Sequence, residues 1–356
     1  MKQNKHKFVC LYYEIHIIYL YADIFSHTVH TFTLDIILFV RYNKLNFSYI
    51  TENVKLKAKK NISLIINPKS GAGTFGTEEK ALSIVSLLSE RGYTTDLHFT
   101  HSQGHAISLA KEYASKSDII VCCGGDGTLN ETVQGVLLSG ADTPIGYIPA
   151  GTTNDFAKTL KIPKDITEAV NIISSEQAVS LDIGETDSEK RFIYVASFGL
   201  FTHVTYSTSQ ATKNKLGYMA YVLDGIKSLS EIKTHRARIT ADGEIYEGEF
   251  IFGAVTNSLS IGGVMNFSPS DVVLNDGKFE LMLIKMPKTL TKLGNIAVNL
   301  LNKKYNSDDV IFVHASEITT EFEQPTPITF DGEYAGTFEN IHIKNLKGKF
   351  SLYVKR

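Results

Sequence analysis

The stretch that decides the fold is Ile119-Ile120-Val121-Cys122-Cys123-Gly124-Gly125-Asp126-Gly127-Thr128-Leu129-Asn130-Glu131. Its first five residues form a continuous apolar run, which is typical of a strand covered on both faces of a parallel sheet. The glycines that follow predict a tight turn. Apolar residues at helical spacing, beginning with Leu129 and Val133, predict a helix after it. The stretch therefore predicts a strand–turn–helix unit of an α/β fold.

The same order of elements recurs on both sides of this stretch. Residues 62–66 predict a strand that ends in a turn at 67–73, and residues 144–149 predict another that ends in a turn at 150–155. Strands that alternate with helices favour a parallel sheet, and ligands of such sheets bind beyond the carboxyl ends of the strands. We call the turns at 67–73, 124–128 and 150–155 the first, second and third turns, and expect all three at that edge.

The pattern changes beyond residue 184. Strand-like runs follow one another there without crossover helices, which predicts a mainly antiparallel β-sandwich. We expect strands at residues 192–198, 236–241, 246–255, 279–285, 311–313, 317–322, 328–330, 341–344 and 350–354, and helices near 213–230 and 288–302. The predicted domains are therefore an α/β domain at 58–184 and a β-rich domain at 185–356.

Residues 1–57 differ from the rest in composition and lack clear turn punctuation, so we expect an extra segment outside the fold. Its apolar run at residues 8–22 carries Glu14 and His16 and falls short of the about 20 residues that a membrane span needs. A membrane anchor is the alternative.

Charge and cysteine content narrow the class of protein. Lys and Arg number 36 against 38 Asp and Glu, and a formal charge of -2 argues against a nucleic-acid partner. The three cysteines, Cys10, Cys122 and Cys123, show neither metal-binding spacing nor a disulfide framework, which favours the reducing cytoplasm.

The second turn carries the strongest chemical signal. Glycines after a strand let the backbone approach a phosphate, and the free N–H groups at the start of the next helix attract an anion. Thr128 and Asn130 offer hydrogen-bonding groups, and Asp126 is able to hold a metal or a water. A plain tight turn is the alternative, but the Asn130-Glu131 extension makes a nucleotide site the favoured interpretation.

Four motifs, in this order, resemble the catalytic domain of the diacylglycerol kinase family and especially its soluble bacterial members. They are Asn67-Pro68-Lys69-Ser70-Gly71, residues 124–131, residues 149–156 and Asp331-Gly332-Glu333. The resemblance covers about residues 60–356, and sphingosine and NAD kinases share the second turn more distantly. It implies an NAD kinase/diacylglycerol kinase-like α/β domain with a β-sandwich. The implied activity is ATP-dependent phosphorylation of a lipid hydroxyl, most simply diacylglycerol to phosphatidic acid.

The resemblance also implies a set of nucleotide-binding residues. They are Asn67, Pro68, Lys69, Ser70, Gly71, Thr100, Gly124, Gly125, Asp126, Gly127, Thr128, Leu129, Asn130, Glu131, Thr152, Asn154, Asp155 and Asp182. Within this set, Asp126, Asp155 and Asp182 are expected to converge on a complex of ATP with Mg²⁺, since phosphoryl transfer needs a cation to neutralise phosphate oxygens. The alternative for Asp155 is a helix N-cap.

Asp331 and Glu333 are the predicted catalytic residues. In a strand, residues i and i+2 point to one face, so both carboxylates are expected at one site. A hydroxyl nucleophile needs a carboxylate within hydrogen-bond reach to take its proton, and the resemblance assigns that role mostly to the glutamate. Two solvated acids at a hairpin are the alternative.

The segment 274–279 resembles a part of the family that holds a structural Mg²⁺. The resemblance implies three ligands: the carbonyls of Val273 and Lys278 and the carboxylate of Asp276. Asn275 stands where the family commonly has a second acid. A plain Asn-Asp-Gly turn is the alternative.

The expected partner is a lipid substrate at the membrane surface. A cytoplasmic protein in peripheral contact with the inner face of the membrane fits this, and a homodimer is left open. The amphipathic stretch at 288–304 is expected to pack on its own sheet or to lie on a membrane. Rival functions are phosphorylation of a sphingoid base, another glycerolipid or NAD, and a regulator that binds nucleotide or lipid without catalysis. The third turn favours a lipid over NAD.

Overall fold

In the computed structural model, residues 60–71, 78–200, 229–261, 265–305 and 307–355 are described. They belong to one unit, Lys59–Arg356. The expectations for residues 1–57, including the run at 8–22, lie outside the described residues. So do the last two residues of the first turn and most of the helix expected near 213–230.

The apolar runs of the sequence become strands, and the amphipathic runs become helices. The strands are β1 (Asn61–Ile66), β2 (Thr94–Phe99), β3 (Ile119–Gly124), β4 (Ile145–Pro149), β5 (Ala178–Thr186), β6 (Arg191–Phe192), β7 (Val195–Gly199), β8 (His235–Ala241), β9 (Glu244–Thr256), β10 (Ser260–Ile261), β11 (Met265–Asn266), β12 (Phe279–Lys285), β13 (Val310–Ala315), β14 (Glu317–Phe330) and β15 (Glu333–Tyr353). The α-helices are α1 (Glu78–Glu90), α2 (His105–Tyr113), α3 (Asp126–Ser139), α4 (Asp155–Thr159), α5 (Ile166–Ser174) and α6 (Leu290–Leu301).

Strands β1 to β4 lie at one end of the main sheet in the order β2-β1-β3-β4, and each neighbouring pair is parallel. Helices cover both faces of these strands. Ile62 and Leu64 of β1 pack in a core with α1 and α5, whereas Ile65 packs with α2 and α3 on the other face. The helices leave the carboxyl ends of the strands uncovered, and the three turns emerge there.

The sheet does not stop at the predicted domain boundary. It has 13 strands, and the order β13-β12-β9-β7-β14-β15-β4-β3-β1-β2 runs from the trailing half of the chain into the leading half. Strand β15 makes the connection: Leu352 pairs in parallel with Ile145 of β4, while β15 pairs antiparallel with β14 and β5. The pairs among β7, β8, β9, β12, β13 and β14 are antiparallel. One apolar core joins Ile65 of β1 to Met282 of β12.

The four strands expected between residues 317 and 354 are in fact two long ones, β14 and β15, joined by a two-residue turn. Phe330 pairs with Glu333 across the turn, and Asp331 and Gly332 both have positive φ, 50° and 84°. Positive φ at both central residues is typical of a type I′ hairpin, which favours Asp-Gly. The expectation that Asp331 and Glu333 share one face of a strand is therefore wrong, because Asp331 lies in the turn.

Helix α6 packs on the sheet through one face. Leu293, Ile296 and Leu300 are buried in the main core, and Val298 on the other side is exposed. None of the helices in the described ranges is both long and apolar enough to cross a bilayer.

Candidate active site

The first, second and third turns meet at one edge of the sheet. The Asn67 side chain donates to Thr128 Oγ1 at 3.0 Å, which joins the first turn to the second. The N–H of Ala150 donates to the carbonyl of Gly124 at 2.7 Å, which joins the third turn to the second. Parallel strands end at a common edge, so residues 67, 128 and 150 become neighbours.

Glycines allow the turns to touch through their backbones. A Cβ on Gly151 would lie 2.6 Å from the Cα of Gly125, and one on Gly71 would lie 2.7 Å from the carbonyl oxygen of Ala150. No side chain caps the N-terminus of α3, which begins at Asp126. Its first N–H groups are thus available to an anion, as at other phosphate-binding helix starts.

A cavity of about 700 Å³ opens over these turns. Ten of the predicted residues line it: Asn67, Lys69, Ser70, Gly71, Thr100, Gly125, Gly127, Thr128, Glu131 and Glu333. Five residues of its wall were not predicted: His101, Ser102, Gln103, Gly151 and Tyr334. His101, Ser102 and Gln103 directly follow Thr100, so the position of Thr100 after a strand was a signal for them.

The other predicted nucleotide-binding and catalytic residues do not line this cavity. They are Pro68, Gly124, Asp126, Leu129, Asn130, Thr152, Asn154, Asp155, Asp182 and Asp331. Asn130 and Asp331 line an adjacent smaller cavity.

Glu333 faces the second turn across the cavity. A Cβ on Gly127 would lie 3.2 Å from Glu333 Oε1, so the carboxylate rests against the glycine-rich turn. Glu333 Oε2 accepts a hydrogen bond of 3.0 Å from the Gln103 side chain. The side chain of Glu333 is otherwise exposed, which leaves its carboxylate accessible to a ligand. Sequence reasoning did not find Gln103, which orients this carboxylate.

Asp331 is buried and does not share the setting of Glu333. Its carboxylate accepts hydrogen bonds from four donors: the N–H groups of Ile193, Tyr194 and Val195, at 2.8, 3.0 and 2.9 Å, and the Asn130 amide. Burial raises the pKa of Asp331 to about 7, although the donors act in the opposite direction. These contacts hold the β14–β15 turn and thereby fix the position of Glu333.

Asp126 and Asp155 come together, as expected. The Asp126 carboxylate accepts from the N–H groups of Asp155 and Phe156, at 3.0 and 3.2 Å, and so stabilises the start of α4. Burial, and then the nearby Asp155 charge, raise the pKa of Asp126 to about 6. Asp155 pairs with Lys158 at 3.1 Å. The N-cap residue of α4 is Asn154, so the helix-cap alternative for Asp155 is wrong by one residue.

Asp182 lies on β5 and has different partners. Its two carboxylate oxygens accept hydrogen bonds of 2.7 Å, one from the N–H of Gly277 and one from the N–H of Gly348. Both oxygens thus hold backbone segments of the trailing half, and the structure does not bring Asp182 together with Asp126 and Asp155 in any hydrogen bond between described residues.

Glu131 lines the cavity, but its carboxylate binds the start of α2. Its oxygens accept from the N–H groups of Gly104, at 2.7 Å, and Ala106, at 3.2 Å. A carboxylate at a helix N-terminus satisfies free donors and favours the helix dipole. This contact fixes α2 against α3 beside the nucleotide turns.

The segment predicted to hold a structural Mg²⁺ is a turn with a buried acid beside it. Asp276 Oδ1 accepts from the N–H of Lys278 at 2.9 Å, and the Asp276 carbonyl accepts from Lys347 at 3.2 Å. Glu280, which was not predicted, is 1% exposed, and its Oε2 has no hydrogen-bond partner in the described structure. Burial raises the pKa of Glu280 to about 8, and Asp276 adds to the shift.

Carboxylate oxygens are ligands that Mg²⁺ prefers, and the unpartnered Oε2 of Glu280 is one such oxygen near Asp276. The described ranges contain no group of three or more His, Cys, Asp and Glu side chains arranged to hold a metal. The predicted Mg²⁺ ligands are one carboxylate and two backbone carbonyls, so they would not form a group of three such side chains. A lone acid inside the apolar strand β12 was the sequence signal for Glu280.

Comparisons with known proteins identify the families that this chain resembles. The model of the diacylglycerol kinase catalytic domain matches residues 61–186, and that of the YegS C-terminal NAD kinase beta sandwich-like domain matches residues 195–343. A diacylglycerol kinase of Bacillus subtilis is 33% identical over 300 residues, which cover 82% of this chain and 98% of the relative. One of Staphylococcus carnosus is 30% identical over 300 residues, covering 84% and 96%.

The crystal structure of a diacylglycerol kinase from Bacillus anthracis matches with a TM-score of 0.69 at 27% identity, covering 84% of this chain and 98% of that chain. A catalytic domain whose glycine-rich turn faces a carboxylate, followed by a β-sandwich-like domain, defines a lipid kinase of the diacylglycerol kinase type. Since its curated relatives are at least 30% identical over nearly their whole length, this chain belongs to the diacylglycerol kinase family.

Proposed function

We propose that this protein transfers the γ-phosphoryl group of ATP to the hydroxyl of diacylglycerol and so forms phosphatidic acid, as a phosphotransferase with an alcohol group as acceptor. The observation that carries the proposal is the contact of Glu333 with the second turn, where a Cβ on Gly127 would lie 3.2 Å from Glu333 Oε1. A carboxylate in that place is able to take a proton from a hydroxyl that attacks a phosphate held by the turn.

The nucleotide is proposed to lie in the larger cavity. Its phosphates meet the N–H groups at the start of α3, and Asn67, Ser70, Thr100 and Thr128 supply polar groups around them. Among the described residues that line this cavity, Lys69 is the one Lys or Arg, and its ammonium offsets phosphate charge. Asp155, Thr152 and Asn154 support the site from behind through the third turn.

The proposed reaction conserves every atom and charge. The hydroxyl oxygen of the acceptor bonds to the γ-phosphorus, the bond from that phosphorus to the β–γ bridging oxygen breaks, and ADP leaves. The hydroxyl proton passes to Glu333, whose carboxylate is exposed toward the cavity. Gln103 holds the carboxylate, and Asp331 holds the turn that carries it. Asp331 is therefore a positioning residue in this scheme.

Mg²⁺ is proposed as the cofactor, and when bound it supplies the positive charge that phosphoryl transfer requires. Asp126 in the second turn and Asp155 in the third would hold it beside ATP. The carbonyls of Val273 and Lys278, with Asp276 and the unpartnered Oε2 of Glu280, would hold a second, structural ion.

A lipid acceptor requires contact with a membrane surface. We propose a cytoplasmic protein in peripheral contact with the inner face of the membrane. A homodimer is a further proposal that light scattering of the purified protein tests.

The test is incubation of the purified full chain with γ-labelled ATP, Mg²⁺ and a total lipid extract, followed by identification of the labelled product. Labelled phosphatidic acid is the expected result, and Glu333→Gln should form it at least about 100-fold more slowly. Label in a sphingoid phosphate, or in NADP⁺ when NAD is added, would identify another acceptor. ATP binding without any labelled product would point to a regulator that lacks catalysis.

A further inference from the structure

A second cavity, of about 310 Å³, adjoins the nucleotide cavity. The two cavities share five lining residues: Gln103, Gly127, Glu131, Glu333 and Tyr334. Glu333 thus belongs to the common wall, with the nucleotide turns on one side and a separate space on the other. A group bound in the second cavity reaches the catalytic carboxylate without entering the space of the nucleotide.

The second cavity combines apolar surface with charged groups of both signs. Ile107, Phe330 and Ala335 supply the apolar surface. Its charged residues are two cations and three acids: Lys190, Arg191, Glu131, Asp331 and Glu333.

The two cations differ in how they are paired. The Arg191 guanidinium forms an ion pair with Glu185 at 2.5 Å, so its charge is compensated. Lys190 donates to the carbonyl of Ala335 at 2.5 Å and lies 5.6 Å from the centre of the Phe338 ring. Lys190 has no carboxylate partner among the described residues, and the carbonyl uses one of its three donors. The remaining donors are available to a ligand at the side of the cavity away from the nucleotide.

We infer that the second cavity binds the glycerol end of the acceptor lipid, with Lys190 donating to its ester oxygens and the free hydroxyl reaching Glu333. This rests on the proposed function. A space of this size lies at the low end of small-molecule sites, so it suits the polar end of the lipid, while the acyl chains remain outside. A neutral glyceride end offers ester carbonyls that accept from Lys190 and a hydroxyl that donates to Glu333, and it adds no negative charge beside the three acids of the wall.

Different residues are expected to bind the two substrates. Gly125, Thr128 and Lys69 contact only the nucleotide cavity, and Lys190 and Ala335 line only the second one. Changes at Lys190 or Ala335 should alter KM for the acceptor and spare KM for ATP. A residue with a purely structural role would not produce that division.

The test is steady-state kinetics of the full-length protein with a short-chain diacylglycerol in mixed micelles, with each substrate varied in turn. Lys190→Ala removes the donor and Ala335→Leu fills the cavity. Each should raise KM for the diacylglycerol about tenfold, the equivalent of one hydrogen bond to a charged group, and leave KM for ATP within about twofold. Lys190→Arg should restore most of the affinity because it keeps a charged donor.

Lys116→Ala is the matched control. Lys116 also lies over an aromatic ring, 5.1 Å from the centre of Tyr113, and it lines neither cavity. It should behave as wild type. Because Ala335→Leu alters packing, melting temperatures of all variants are compared, and Lys190→Ala carries the test if that variant is unstable.

Three outcomes are distinguishable. Unchanged acceptor KM in Lys190→Ala with active wild-type protein overturns the inference. A rise in KM for ATP alone also overturns it and assigns the second cavity to the nucleotide. Absence of product from wild-type protein with diacylglycerol, while ATP still binds, overturns the proposed function itself.

Discussion

Asp331 and Glu333 are two residues apart in the chain but differ in their exposure to solvent. Glu333 is exposed toward the cavity, whereas Asp331 is 6% exposed and surrounded by N–H donors. Their variants should therefore fail for different reasons. Loss of Glu333 removes a proton acceptor from a folded protein, and loss of Asp331 removes the partner of several buried groups.

Replacing Glu333 by Gln should lower turnover at least 100-fold and leave the melting temperature within about 1 °C of wild type, because a general base contributes about 10²–10⁴-fold and the side chain is exposed. Turnover with saturating ATP and lipid, together with thermal unfolding, measures both. Glu339→Gln, an exposed acid on the same strand, is the control. Normal turnover of Glu333→Gln would exclude the proposed base.

Replacing Asp331 by Ala should lower the free energy of unfolding by several kcal/mol. The change leaves the N–H groups of Ile193, Tyr194 and Val195 buried without a partner, and each such group costs about 1–3 kcal/mol. Urea titration followed by circular dichroism measures the loss. Wild-type stability with lost turnover would instead assign Asp331 a direct role in catalysis.

Ionisation of Asp331 should also make the free energy of unfolding depend on pH. Burial raises the pKa of Asp331 from 3.8 to about 7, so its contribution to stability is fully present below about pH 4 and is lost as the pH rises through 7. Between pH 5 and pH 8 wild type should lose more unfolding free energy than Asp331→Asn, at most about 1.4 kcal/mol per pH unit. Identical pH profiles for the two proteins would mean that the four donors offset burial.

Among the elements, α2 and α3 are joined by Glu131. Replacing Glu131 by Ala leaves the N–H groups of Gly104 and Ala106 without their acceptor and should cost about 1–2 kcal/mol, as loss of a helix cap does. Chemical denaturation measures this cost. Glu112→Ala, which removes an exposed ion pair with Lys116 on α2, should cost less than about 0.5 kcal/mol. Equal costs for the two variants would show that the cap is weak.

The elements also show what the sequence was able to predict. The alternation of strands and helices predicted that the three turns would meet, because parallel strands place their carboxyl ends at one edge of the sheet. The β14–β15 hairpin had been only the alternative for Asp331 and Glu333. Asp-Gly is a common sequence for a type I′ turn, but the strand pattern around it was interpreted as one continuous strand. The partners of Asp182 and Gln103 are far away in the chain, at Gly277, Gly348 and Glu333, and no local pattern encodes such contacts.

For the whole molecule, the shared sheet has a thermodynamic consequence. Since β15 is hydrogen-bonded to β14, β5 and β4, the parts on either side of residue 184 share strands and a core. Residues 59–356 should therefore unfold in one cooperative transition, with equal calorimetric and van't Hoff enthalpies. Scanning calorimetry of the full chain, with intrinsic fluorescence as a second probe, tests this. Two separate transitions assigned to 59–184 and 185–356 would contradict it.

Strand β15, which begins at Glu333, is the last of the described elements in chain order. Strand β4 lacks its neighbour in the sheet until β15 has been synthesised, because Leu352 pairs with Ile145. Since the two halves share one sheet and one core, we expect the turns for ATP and the proton acceptor to be completed in the same folding step. A nascent polypeptide that stops short of β15 is then expected neither to hold ATP nor to consume it.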